Sequence, residues 1–178
     1  PQNEALWTDP LRYRILPWET KHKLCSKKLA AEAGCLRTMI AELFGDEGYQ
    51  LIEKAYASFA YPEYEMGRAR GLIKDADQMG PLEAAEYICF LYDVAGRGVL
   101  SIVDASDKGV RIQHFHGLPE TCYYLTRKGD WNMCVAETAF ERGLVKLMNP
   151  RLRARRTKGK VYGDYCCELA IDWDPEVK

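Results

Sequence analysis

Val99-Leu100-Ser101-Ile102-Val103 and Val110-Arg111-Ile112-Gln113-His114-Phe115-His116, joined by the run Asp104 to Gly109, mark the point where the chain changes its period. Upstream, apolar residues recur three or four apart, as on the buried face of a helix. Here the first run is continuously apolar and the second alternates, which reads as two strands. Asp107-Lys108-Gly109 supplies tight-turn chemistry between them, so the pair predicts an antiparallel hairpin. Two further strands are expected downstream, over Leu152 to Lys160 and Cys166 to Trp173. The order helices, hairpin, helices, hairpin predicts an α+β fold. A helical N-terminal half packs on an antiparallel sheet of about four strands.

The helical half divides at its glycines and prolines. From Lys21 to Phe44, the spacing of Leu29, Ala33, Leu36, Ile40 and Leu43 predicts a helix with that set as its buried face. Gly45-Asp46 stops it, and Asp46 can cap the next helix. That second helix carries Tyr49, Ile52, Tyr56 and Phe59 on one side and is expected to break at Pro62. A third runs from about Glu63 to Gln78, with Ala69, Leu72, Ile73 and Ala76 as its apolar face. Pro81 suits the first turn of a fourth, ending near Ala95. Beyond the hairpin, Gly117-Leu118-Pro119 opens a helical segment with Glu120 and Cys122, and another from Asp130 carries Trp131, Cys134, Ala136 and Phe140.

Size and composition narrow the classes. The 178 residues, 47% of them apolar, suit one domain with its own core. The expected organisation is a single domain over 1–178: an extended arm over 1–18, a helical part over 19–96 and a sheet-containing ligand or catalytic part over 97–178. A net charge of −1 gives no pull toward nucleic acid or an anionic membrane, so neither is an expected partner. The apolar runs fall short of the ~20 residues a membrane helix needs. Seven cysteines without an export signal read as reduced thiols in a cytoplasm.

Candidate chemistry gathers in two stretches, His114 to Cys122 and Gly163-Asp164-Tyr165-Cys166-Cys167-Glu168, with Asp130, Cys134 and Glu137 between them. His114 and His116 are two apart on a strand and share a face, as a solvated pair or as a base or metal ligand. Cys122 follows Gly117 and Pro119 at a helix start, where unpaired N–H groups favour a thiolate; many free cysteines are instead small buried hydrophobes. Cys166 and Cys167 are adjacent on a strand, so they face opposite ways. Cys167 shares its face with Leu169 and Ile171 and is expected inside, while Glu168 is expected to face out or toward a second subunit. Cys122, Cys134 and Cys167 form a conceivable zinc site, although none of the spacings is Cys-x-x-Cys; the expected chemistry needs no cofactor. Arg151, Arg153 and Arg155 alternate on one side of a strand, as a charged edge or an acidic-ligand surface.

Gly117-Leu118-Pro119-Glu120-Thr121-Cys122, Gly129-Asp130-Trp131, Arg155-Arg156-Thr157-Lys158 and Gly163-Asp164-Tyr165-Cys166-Cys167-Glu168 together resemble the L-2-amino-thiazoline-4-carboxylate hydrolase family. The match covers about a third of the chain. Glu168-Leu169 stands where that family usually has Asp-Phe. The same region is similar to the 4-vinyl-reductase domain, a small-molecule-binding module. The resemblance implies a 4-vinyl-reductase-like fold, a homodimer, and hydrolysis of a C–N bond in a small cyclic or amide-type substrate. The alternatives are a non-catalytic ligand-binding or sensor module, with cysteine-bound zinc in some members, and an accessory subunit of an enzyme complex. Two mechanisms fit the residues. In one, Cys122 or Cys167 is the nucleophile, His114 or His116 the base, and Glu120 or Asp164 the orienting group. In the other, Glu120 activates water. Trp131, Tyr123, Tyr124 and Asp130 would line the substrate site.

Overall fold

The structure, a computed structural model, describes residues 17–95, 100–114 and 131–177. Helix α1 (Trp18–Ala69) is followed by a 3-10 turn (Ala76–Gln78) and helix α2 (Pro81–Val94). Strands β1 (Leu100–Ser106) and β2 (Gly109–His114) form the hairpin. Helices α3 (Trp131–Glu137) and α4 (Ala139–Met148) come next, then β3 (Leu152–Lys158), a 3-10 turn (Lys160–Tyr162) and β4 (Cys167–Trp173). The α+β expectation holds: the four strands make one antiparallel sheet in the order β1-β2-β4-β3.

Register divides the sheet into two chemically different faces. Val110 pairs with Ile171, Ile112 with Leu169 and Ala154 with Ile171, so these side chains share one face. They build the core with Ala84, Ala85 and Ile88 of α2 and Leu144, Val145 and Met148 of α4. The opposite face carries Gln113 against Glu168 and Arg153 against Asp172. A one-residue slip in any strand would exchange the two sets, and that penalty fixes the pairing.

Asn149 ties the helices to the sheet. Its side-chain amide donates to the carbonyls of Ala76 and Met79, each at 2.8 Å, and its side-chain oxygen accepts the Arg151 N–H at 2.9 Å. At α2, Pro81 occupies the first turn as its sequence suggests, and the Glu83 carboxylate accepts the Gly80 N–H at 3.0 Å.

The helical half keeps the expected break at Gly45 and departs from its outline in two other places. Gly45, at φ 54° and ψ −130°, interrupts the helix where the sequence places its stop, and helix resumes at once, so 18–44 and 46–69 are two arms of α1. Pro62 lies inside the second arm instead of ending it. Pro62 and Ser58 are both exposed, so the carbonyl that the proline deprives of a partner meets water. The helix ends at Gly71 (φ 68°), where Gly67 O accepts the Leu72 N–H at 2.9 Å, and the expected third helix is reduced to the turn Ala76–Gln78.

The apolar stripe of the first arm also turns the other way. Leu29, Leu36 and Leu43 are 65%, 61% and 72% exposed, whereas Gly34, Arg37, Ala41 and Gly48 are buried. Ala41 and Ile52 pack with Ala136 of α3. Gly48 lets the second arm of α1 lie close against the first, since a methyl there would meet Ile40 O at 2.6 Å, and the spacing of large apolar side chains does not report such a position.

Candidate functional site

On the core face, the inward-facing residues of β3 are Leu152, Ala154 and then Arg156. Alternation thus carries a guanidinium to a position where the two preceding residues are apolar. Its counter-ion comes from α4, whose buried stripe reads Glu141, Leu144, Val145 and Met148. Glu141 occupies an apolar register position of an amphipathic helix and is 3% exposed. Arg156 Nη2 stands 3.6 Å from Glu141 Oε1, and its Nε and Nη2 are each 3.4 Å from Thr138 Oγ1. The Thr138 hydroxyl donates to the Cys134 carbonyl at 2.8 Å, which leaves its oxygen to accept from the arginine. Burial opposes the charge on Arg156, and the Glu141 carboxylate more than restores it, holding its pKa above the ordinary guanidinium value.

Two further groups extend this cluster. The Tyr92 hydroxyl of α2 donates to Glu141 Oε1 at 2.6 Å, a short charge-assisted bond. Glu141 Oε2 is buried with no hydrogen-bond partner among the described residues. Cys134 and Cys167 lie near Arg156. Cys167 is paired across the strands with His114, on the same face.

The Tyr92 ring also lines an open cleft of about 410 Å³ between α1, α2 and α4. Tyr56, Phe59, Pro62, Glu63 and Met66 of α1, Leu91 of α2, Ala95 just beyond it, and Phe140 of α4 complete its wall. Tyr56 and Phe59 meet edge to face, 90° between planes and 6.1 Å between centroids. An apolar cleft of this size with a few polar groups at its edge suits a small organic ligand. Tyr92 connects it to the Arg156–Glu141 pair: ring on the cleft, hydroxyl on the carboxylate.

The other sheet face holds a separate polar network. Glu168 accepts hydrogen bonds from Gln113, from Thr157 at 2.7 Å and from Lys158 at 2.8 Å. A bulge between Arg156 and Lys158 lets both Thr157 and Lys158 reach it. Burial would raise the Glu168 pKa; the bonds from Lys158, Gln113 and Thr157 and the lysine charge reverse this and hold it at about 2. Glu168 lies off the core face as expected, yet only 7% of it is exposed. Asp172 is held by Arg111 at 2.7 Å and Arg155 at 3.1 Å, so part of the basic strand is internally neutralised.

The residues singled out from sequence meet different fates. Cys122, Glu120, His116, Tyr123, Tyr124 and Asp130 lie outside the described residues, as does the Trp131 side chain. His114 is 7% exposed, on the core face opposite Cys167 and not on a solvated strand face. Asp164 accepts the Gly159 N–H at 2.8 Å and so staples its own loop. Cys167 faces inward and is half-buried, but Cys166, just before β4, is the fully buried one of the two. Of the conceivable zinc ligands, Cys134 and Cys167 are described, and among the described residues no three histidines, cysteines or carboxylates gather as for a metal. Among those residues no helix is long and apolar enough to cross a membrane.

Tyr92, Glu141 and Thr138 are not among the residues the sequence singles out, and Arg156 stands there only within Arg155-Arg156-Thr157-Lys158. Their signal was a charge at an inward position: Glu141 in the apolar register of α4, and Arg156 two residues beyond Ala154.

No protein-family profile matches the chain, and no curated protein matches it in sequence. Its structure is similar to the crystal structure of the phenol-responsive sensory domain of the transcription activator PoxR with phenol. The TM-score is 0.55 at 10% sequence identity, over 81% of this chain and 74% of that one. The chain therefore shares the fold of that sensory domain.

Proposed function

We propose that this chain is a small-molecule-binding module of the sensory type. The observation that carries the proposal is the aromatic cleft joined through Tyr92 to the buried Arg156–Glu141 pair. A ligand in the cleft would touch the Tyr92 ring and so disturb a hydrogen bond on which a buried charge depends. Occupancy would thereby be passed to α4 and the sheet. The likeness in fold to a phenol-responsive sensory domain supports this reading. A homodimer belongs to the same proposal.

The test is a thermal-shift and calorimetric screen of single-ring aromatics against the wild-type chain, Phe140→Ala and Tyr92→Phe. A binder at a hundred times its Kd stabilises the fold by about 2.7 kcal/mol. Phe140→Ala should weaken binding, because it removes a cleft wall. Tyr92→Phe should leave affinity nearly unchanged but shrink the ligand-induced change in amide exchange across α4. A screen without binders, or binders indifferent to Phe140, would sink the proposal.

A second reading follows from the cross-strand placement of Cys167 and His114 on the core face. It is a hydrolase of C–N bonds in small cyclic or amide-type substrates, with Cys167 as nucleophile and His114 as base. Turnover of thiazolines or cyclic amidines that vanishes in both Cys167→Ser and His114→Gln would favour it; turnover unaffected by either would refute that mechanism.

A further inference from the structure

The first arm of α1 carries an apolar row that no described part of the chain covers. Leu29, Leu36 and Leu43 recur every seven residues along it, with Ala33 and Met39 beside them, and all five are exposed. At about 3.6 residues per turn, this row lies opposite Gly34, Arg37 and Ala41, the residues that face the rest of the fold. A seven-residue repeat of leucines keeps one seam turned toward a second helix. Continuous apolar surface of this kind marks a site of association, whereas single exposed leucines do not.

Charge along the arm selects what covers the row. The start of the arm is predominantly basic, with Lys21, Lys23, Lys27 and Lys28, and the region of its end is acidic, with Glu42, Asp46 and Glu47. A helix of that polarity repels a parallel copy of itself and attracts one laid end for end. A twofold axis presents the same surface from both copies. With the axis near Cys35 and Leu36, Leu36 meets its own counterpart and Lys28 comes beside Glu42 of the second copy. Lys28, Cys35 and Glu42 are seven apart on one flank of the leucine row, the position whose charges set partner and orientation across a seam. Within one chain Lys28 stands 3.8 Å from Glu32 in an exposed i,i+4 pair, which it gives up at little cost.

We infer that two copies of this chain pair the first arms of α1 antiparallel, through Leu29, Leu36, Met39 and Leu43. The inference rests on the homodimer proposed above and gives it a surface. The α1 residues of the ligand cleft all belong to the second arm, so dimerisation and ligand binding are measured separately. Sedimentation velocity of the full chain at micromolar concentration, with thiols reduced, should show a dimer. Leu36→Glu should raise its dissociation constant by about a hundredfold or more, since two leucine contacts are lost per dimer. Leu43→Glu, in the same row, should act alike, and circular dichroism should show both variants folded, because both positions are exposed in the single chain. Orientation is read with a short bismaleimide, for which Cys25 and Cys35 are both exposed. Cross-linking should persist in Cys25→Ser and vanish in Cys35→Ser, because the antiparallel axis brings Cys35 to its own counterpart and separates the two copies of Cys25. A cross-link lost in Cys25→Ser, or no cross-link at all, overturns the antiparallel pairing. A dimer indifferent to both glutamate variants overturns the surface but not the homodimer. A monomer, its leucine row bare or covered by its own chain, overturns both and leaves the ligand cleft standing.

Discussion

Glu141→Gln is the substitution that most directly tests the buried pair. The amide keeps the shape of the carboxylate and an oxygen able to accept the Tyr92 hydroxyl, so the change isolates charge. At the 3.6 Å separation from Arg156, an effective dielectric near 20 gives a Coulomb attraction of about 4–5 kcal/mol. Much of that attraction is offset by the desolvation already incurred in burying both ions. Removing one partner restores none of the desolvation, because Arg156 stays largely buried with Thr138 as its hydrogen-bond acceptor among the described residues. The expected cost is therefore about 3–5 kcal/mol, the range for breaking a buried pair. In a domain of this size that lowers Tm by about 6–20 °C.

Urea unfolding followed by circular dichroism supplies the free energies. Arg156→Met should cost a similar amount by stranding the carboxylate. The double variant Glu141→Gln, Arg156→Met should cost far less than the sum of the two, since neither charge is then left buried alone. A coupling of about 2 kcal/mol or more is expected. Costs that add to within about 0.5 kcal/mol would show that the two residues do not act as a pair, and the polar anchor of the cleft would fall with it.

Three further outcomes are expected. Glu168 has a folded pKa of about 2 against an ordinary value of 4.5, so its contribution is present above pH 4.5 and is lost as pH falls toward 2; Glu168→Gln should flatten the stability profile in that window, and an unchanged acid slope would contradict the network. Asn149→Ala removes the amide that serves the Ala76 and Met79 carbonyls and the acceptor of the Arg151 N–H, and chemical denaturation should register a loss of about 2–4 kcal/mol. Gly67→Ala would drive a methyl into the Tyr87 ring, 2.8 Å from Cζ, and to 2.6 Å from Ile73 Cδ1; a fall of about 1–3 kcal/mol is expected, and a neutral result would mean that α1 sits farther from α2.

The sheet was legible in the sequence because its signal is local. Alternation in Val110 to His114 and in Cys167 to Trp173 fixes which side chains face the core, and a tight turn fixes the first pairing. The helical half was legible in content but not in outline. Pro62 looks like a terminator on paper, yet its cost depends on whether the carbonyl one turn earlier reaches water, which only the packed structure decides. Leu29, Leu36 and Leu43 look like a core stripe because periodicity reports that a stripe exists, not what it faces. Gly34, Ala41 and Gly48 are the buried small residues instead, and Gly48 lets the two arms of α1 approach each other closely.

The site was harder to read for a related reason. Reactive residue types in the sequence point to Cys167, His114 and Asp164, but Asp164 is occupied in holding its own loop. The cleft and its anchor are made of residues that look unremarkable singly: a tyrosine in a helix, a glutamate in another, one arginine in a basic strand. Their meaning lies in register. Arg153 and Arg155 project to one side of β3, and Arg155 meets Asp172 there. Arg156 projects to the other side, among apolar side chains, where a charge persists only with a partner. Once β3 is known to be a strand with Leu152 and Ala154 inward, the sequence already demands an acid facing Arg156. Glu141, set in the apolar register of the preceding helix, answers that demand, and Tyr92 then follows as the donor that links the pair to the cleft.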